Sequence, residues 1–257
     1  MSSYPLPNLF IPGVQKAGTT ALASFLAQHP DICLVEGKEA HVFDDPQYHR
    51  SADKLSFARD KYAGKLAHYN GEKYILDATP ITMLHPQFIM SAARTCKHAK
   101  YIVMLRDPVE RALSHYAMTK SRGLEARSPA MAFLLEPWRM RGFYKNLPTS
   151  PFESKYRDQS YLIRGLYSKQ LKILKNYVST YQVMCFEQND LAREHTLTLK
   201  KITNFLEIAE QPIEPNRVFE SDTSYRVPSF FYTLLMGYYQ LVNSEVNINH
   251  NEVRKLD

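Results

Sequence analysis

Short apolar runs alternate along this chain with longer stretches whose apolar residues recur every three or four positions. The runs fall at residues 8–14 (NLFIPGV), 32–35 (ICLV), 73–77 (KYILD), 100–105 (KYIVML) and 181–186 (YQVMCF). Their length and composition predict buried strands, most clearly at 100–105. Helical periodicity marks residues 19–28, where Leu22, Phe25 and Leu26 share a face, and then 53–62, 161–177, 197–206 and 230–242. His29-Pro30 ends the first of these helices, because a residue before proline disfavours the helical region. Asp107-Pro108 opens another, with proline in the favoured first turn. Between 121 and 159 the periodicity fails among prolines, arginines and aromatics, including the only tryptophan, Trp138. A long irregular stretch of this kind predicts a lid or binding loop. No repeat or linker divides the chain. The alternation predicts one α/β domain over residues 1–257, a central parallel sheet with helices on both faces in a three-layer sandwich.

Composition narrows the partners. The chain is 44% hydrophobic and 23% charged, as expected of a folded protein with its own core. Its formal charge of +6 favours an anionic ligand. The basic residues are scattered, so a nucleic-acid tail is not expected. Aromatics at 12% fit either a tyrosine-rich core or a cleft that stacks on a base or sugar. The three cysteines, Cys33, Cys96 and Cys185, form no CxxC pair, which argues against a zinc ribbon or disulfide framework. No metal site is expected. The absence of an apolar run of about eighteen residues argues against a membrane span. The opening MSSYPLPNLF lacks the basic start and apolar core of a signal peptide. A cytoplasmic protein is the expectation, and oligomeric state is not legible.

The segment GVQKAGTT, residues 13–20, joins the first strand to the first helix. Backbone N–H groups at a helix N-terminus point outward unpaired and favour an anion there. Gly13 and Gly18 let the backbone curl, and Thr19 and Thr20 add hydroxyls. The glycines keep the spacing of the nucleotide-triphosphatase loop GxxxxGK[ST], but Thr19 stands where the lysine belongs and Lys16 lies inside the loop. The sheet is therefore P-loop-like, while a Mg-ATP kinase is disfavoured. Asp77 is the nearest candidate for a Mg²⁺ carboxylate.

A second motif, LRDPVERALSHY at 105–116, follows the clearest strand. Arg106 falls at the carboxyl end of that strand, the edge where open α/β sheets bind ligands. Ser114 lies about two turns into the next helix. An arginine fork and a hydroxyl can hold a phosphate together.

The two segments resemble the donor-binding elements of sulfotransferases that use 3′-phosphoadenosine 5′-phosphosulfate (PAPS). The wording is most similar to the heparan-sulfate-type branch and its bacterial relatives. The resemblance implies that Lys16, Ala17, Gly18, Thr19 and Thr20 meet the 5′-phosphosulfate and that Arg106 and Ser114 meet the 3′-phosphate. It also implies 3′-phosphoadenosine 5′-phosphate (PAP) as product, and the analogy with phosphoryl transfer makes direct in-line transfer the expectation. The segment KEAHVFDD at 38–45 resembles the branch's lysine–glutamate–x–histidine–aromatic–aromatic pattern, with Val42 replacing one aromatic. Glu39 then corresponds to the carboxylate that takes the acceptor's proton and His41 to a neighbouring active-site histidine. A positioned base makes chemical sense here, because the transferred group brings no proton of its own. Lys16 would stabilise the departing phosphate.

The resemblance breaks at several places. Ala78 in DATP stands where relatives commonly carry lysine, and Thr20 where some carry arginine. Arg226 is a candidate for the loop over the 3′-phosphate, although no glycine follows it. The RGLY run at 164–167 fits either a nucleotide contact or an ordinary amphipathic helix. The expected acceptor walls, 45–69 and 121–161, suit a saccharide, lipid, polyketide or other small molecule bearing a hydroxyl or amine. Two competing readings are a P-loop-type small-molecule or nucleotide kinase, and a non-catalytic nucleotide- or polyanion-binding module.

Overall fold

The computed structural model describes residues 5–212 and 225–245, with the backbone of 254–255. In chain order the elements are β1 (Leu9–Phe10), α1 (Thr19–Leu26), β2 (Ile32–Leu34), α2 (Pro46–Arg50), α3 (Lys54–Ala63), β3 (Tyr74–Asp77), α4 (Pro86–Thr95), β4 (Lys100–Leu105) and α5 (Pro108–Ser121). There follow α6 (Pro129–Arg139), α7 (Phe143–Asn146), α8 (Lys155–Asp158), α9 (Tyr167–Lys175), β5 (Val183–Glu187), α10 (Gln188–Arg193), α11 (His195–Leu206), α12 (Ser229–Val242) and β6 (Arg254–Lys255). The strand order is β2-β3-β1-β4-β5-β6. The first five run parallel, and β6 adds an antiparallel edge. Helices surround this sheet in the three-layer α/β arrangement. Among the described residues no helix is long and apolar enough to cross a membrane.

β1 lies between β3 and β4, where the strand order reverses. The carboxyl edge at such a switch point is the ligand edge of an open α/β sheet. The loops at 11–18, 35–45, 78–81 and 106–107 all leave the sheet there. The five parallel strands are almost entirely buried, and Leu76, Ile102, Val103 and Met104 are fully enclosed.

Several boundaries depart from the periodicity. β1 is shorter than the expected 8–14, because Pro12 has no N–H for the ladder. The Pro12 carbonyl accepts instead from Met83 N at 2.9 Å. α4 escapes a strand-centred reading, yet His85 caps it, Pro86 opens it, and Phe88, Ile89, Ala92 and Ala93 form its buried stripe. The supposed lid at 121–159 contains α6, α7 and α8. Pro129 opens α6 and Pro137 sits inside it, so two prolines masked an otherwise helical stretch. The expected helix at 161–177 is a 3-10 turn, Ile163–Gly165, followed by α9.

A second apolar cluster joins α5, α6 and α12 through Val109, Leu113, Tyr116, Phe133, Phe231 and Leu235. Polar bonds complete the docking of α12. Tyr239 donates its hydroxyl to Leu162 O at 2.8 Å, and Asn243 donates Nδ2 to Gly165 O at 2.9 Å. Gly165 lets the two elements meet, since an added Cβ would lie 2.7 Å from the Tyr239 ring. Gly165→Ala should therefore cost about 1–3 kcal/mol as an overpacked contact. A denaturation midpoint equal to that of the parent would show that the ring moves aside freely.

Candidate active site

The first motif forms the turn between β1 and α1. Lys16 and Gly18 both take the left-handed region, at φ 70° and 86°. Gly18 is the residue immediately before α1, and its lack of a Cβ suits that conformation. Arg106 donates Nη1 to the Lys16 carbonyl at 3.0 Å, which fixes the loop against the end of β4. Tyr167 donates to the Arg106 carbonyl at 2.8 Å, so the RGLY run braces that arginine from behind. Asp107 caps α5 by accepting from Val109 N at 2.9 Å and Glu110 N at 2.8 Å. Ser114 is buried two turns further along that helix. Ala17 in the loop and Thr19 at the start of α1 are buried.

The charge balance of this loop suits an anion. Burial lowers the pKa of Lys16, and the nearby Arg106 and Arg122 lower it further. The charges that act on Lys16 are thus cationic, and a bound anion would relieve their repulsion. Burial likewise depresses Arg106, despite the opposing influence of Glu110. Arg226 is exposed just before α12. Its neighbour Tyr225 packs edge-on against Tyr116 of α5, with centroids 5.1 Å apart. The adjoining Ser224 lies outside the described residues.

The third motif forms the loop between β2 and α2. Lys38 and His41 both have positive φ, at 70° and 51°. Buried groups hold them there. Asp77 accepts from the Tyr62 hydroxyl at 2.8 Å and the Thr79 hydroxyl at 2.5 Å, while Thr79 Oγ1 accepts from Ala40 N at 3.1 Å. Burial raises the Asp77 pKa, against the pull of those hydrogen bonds. Asp77 thus works inside the fold as a brace for the loop.

From the turn at 16–20 a continuous polar chain runs through this loop. Lys38 donates Nζ to Thr20 Oγ1 at 3.1 Å and pairs with Glu39 Oε1 at 2.6 Å. His41 Nε2 lies 3.1 Å from Glu39 Oε2, and its Nδ1 lies 3.0 Å from Asp44 Oδ2. Arg157 closes the chain at 2.5 Å from Asp44 Oδ2 and also donates to the Asp44 carbonyl. Burial alone would lower the His41 pKa. The bonds to Asp44 and Glu39 override it and lift the value to about 10. Both ring nitrogens face carboxylates, so the imidazolium is the form that fits. Burial pushes Glu39 upward, but the His41 hydrogen bond and the Lys38 charge bring it below the usual carboxylate range. Phe152 stands edge-on to His41 at 5.7 Å and under the Arg157 guanidinium at 4.6 Å.

Lys16, Thr20, Arg106, Glu39 and His41 therefore share one polar neighbourhood. Asp44 and Arg157 belong to it as well and carried no role in the sequence reading. Asp44 sat in view three residues after His41. Arg157 gave no signal, because its partner is 113 residues away.

The sulfotransferase-domain family model matches residues 6–241. The chain belongs to that family, and sulfuryl transfer is the reaction class that goes with it. A heparan sulfate glucosamine 3-O-sulfotransferase 3B1 of Mus musculus is 28% identical over 204 residues, covering 79% of this chain and 47% of that protein. The membrane-associated sulfotransferase kil1 of Dictyostelium discoideum is 32% identical over 131 residues, covering 51% of this chain and 27% of that one. The chain thus matches less than half the length of these curated relatives. Among solved structures, a sulfotransferase from Alicyclobacillus acidocaldarius superposes with a TM-score of 0.75 at 24% identity, covering 95% of each chain. The sulfotransferase domain from the curacin biosynthetic pathway gives a TM-score of 0.61 at 14% identity, covering 97% of this chain and all of that one. These likenesses speak to the fold.

Proposed function

We propose that this chain moves a sulfuryl group from PAPS to a hydroxyl or amine of its acceptor, releasing PAP. The observation that carries the reading is the chain of contacts from Thr20 in the phosphate turn, through Lys38, to Glu39. It ties a cationic anion site to an ionised carboxylate within one side-chain span.

In this reading the turn at 16–20 holds the 5′-phosphosulfate, with Lys16 opposing the charge that gathers on the departing phosphate. Arg106 and Ser114 hold the 3′-phosphate, and Arg226 is the further candidate near α5. Glu39 accepts the acceptor's proton. Each carboxylate oxygen has a second lone pair beyond those used by Lys38 and His41. The Glu39 side chain is 31% exposed, which leaves it open to an acceptor. His41 is poorly suited to be the base, because it keeps its proton to about pH 10. Its part is to orient Glu39.

The acceptor side is the surface formed by residues 45–69 and 121–161. Phe152 beside His41 brings the second of these to the base. The names of the relatives include heparan sulfate glucosamine and the curacin pathway. A saccharide or polyketide acceptor fits that company, with a lipid or other small molecule also compatible with the residues.

Calorimetric titration with PAP, using AMP and Mg-ATP as controls, tests the donor site. PAP should bind tightly, and loss of the 3′-phosphate should abolish most of the affinity. Lys16→Ala and Arg106→Ala should each weaken PAP binding by about 1.5–3 kcal/mol, the range for a hydrogen bond to a charged group. Parent-like affinity in both variants would remove the site assignment. Binding of Mg-ATP without PAP would replace the reading with a kinase.

A further inference from the structure

α12 buries one face and leaves another bare. Phe231, Leu235 and Tyr239 enter the cluster over α5. On a different side Phe230, Leu234, Gly237 and Leu241 follow one another at spacings of four, three and four. This is the a/d spacing of a helix–helix seam. Phe230 is 76% exposed, Leu234 64% and Leu241 78%. At Gly237 an added Cβ would meet no atom within 4 Å, so the seam has a gap at its middle.

We infer that this seam joins two copies of the chain, α12 against α12, antiparallel about a twofold axis. The pattern reads the same in both directions around a point between Leu235 and Met236. Under that symmetry Phe230 falls opposite Leu241 of the other copy, and Leu234 falls opposite Gly237. A large side chain therefore meets a gap in two symmetry-related places, as a self-complementary interface requires. No Asp, Glu, Lys or Arg occurs from Ser229 to Val242, so no like charges oppose each other across the axis. With Tyr238 at the margin, the exposed side chains of the seam cover roughly 500 Å² per copy, or about 1,000 Å² in all, the least that a specific interface needs. A lipid surface fits less well. Interfacial helices carry Lys or Arg on the polar face, whereas here the exposed polar positions are Ser229, Thr233 and Gln240.

Cross-linking tests both the contact and its direction. The native cysteines are all buried, so introduced thiols can be read separately. Leu234→Cys and Gly237→Cys proteins, mixed and treated with diamide, should form the mixed disulfide dimer faster than either forms its own. Sedimentation should show a dimer of the parent at micromolar concentration. Leu234→Glu and Phe230→Glu should each raise the dimer dissociation constant by about thirtyfold or more, the effect of losing a hot-spot contact. Both positions are exposed, and unchanged PAP affinity would verify that the variants fold. A monomeric parent at tens of micromolar, or variants as dimeric as the parent, would overturn the proposal. So would binding of the parent, but not Leu234→Glu, to phosphatidylcholine vesicles, which would assign the seam to lipid.

Discussion

Glu39→Gln should lower turnover with PAPS and a competent acceptor by about 10²- to 10⁴-fold, the range for loss of a positioned general base. PAP affinity should stay near that of the parent, because Glu39 meets the turn at 16–20 only through Lys38 and Thr20. The substitution keeps the shape of the side chain and removes its charge. Lys38 can still donate to the amide oxygen, but His41 then faces an amide N–H₂ or loses its partner. The pH profile separates a chemical role from a merely structural one. In the parent, Glu39 sits below the usual carboxylate range, so activity should persist through mild acid and fall only as that group is protonated. On the alkaline side it should fall again as His41 loses its proton near pH 10. Glu39→Gln should abolish the acid limb. Normal turnover in this variant, or an unchanged acid limb, would assign the proton to another group.

The motifs of the candidate site stood out in the sequence because each is local. GVQKAGTT, KEAHVFDD and LRDPVERALSHY are short segments at strand ends, and the sheet gathers strand ends onto one edge. The parallel strands were also legible, since burial on both faces makes them continuous apolar runs. α6 was hidden by Pro129 and Pro137, and α4 by a short stripe that begins just after a turn. The polar chain beyond His41 was hidden for a different reason. Asp44 pairs with His41 three residues away, but its second partner, Arg157, is brought to it by tertiary packing rather than by spacing. Asp77 shows the converse ambiguity. A carboxylate at a strand end looks like a metal partner in sequence, yet two hydroxyls and a buried site employ it as a brace.

The buried pair at the far end of that chain carries the largest expected cost in stability. Arg157→Met should destabilise the fold by about 3–5 kcal/mol, since removing one partner of a buried ion pair strands the other charge. Asp44 is fully enclosed, and the Arg157 side chain is 6% exposed. His41 would remain as a partner for Asp44, which favours the lower part of that range. The parent structure has a pH signature with a definite sign. Burial pushes Asp44 upward, while the His41 bond and the Arg157 charge hold it below its ordinary value. Stability from this group is therefore complete above about pH 4 and lost as pH falls through the lower folded value. Without Arg157 the folded value rises toward the ordinary one, so the acid-dependent loss should be smaller and level off at higher pH. The double variant Arg157→Met, Asp44→Leu separates stability from function. Replacing both charges with apolar groups should recover much of the loss. It should not recover turnover, because His41 Nδ1 would have no acceptor and Glu39 would lose its orienting neighbour. Arg157→Met unfolding at the parent's urea midpoint would mean that the pair does not hold the loop. Full turnover in the double variant would mean that the loop is held without it.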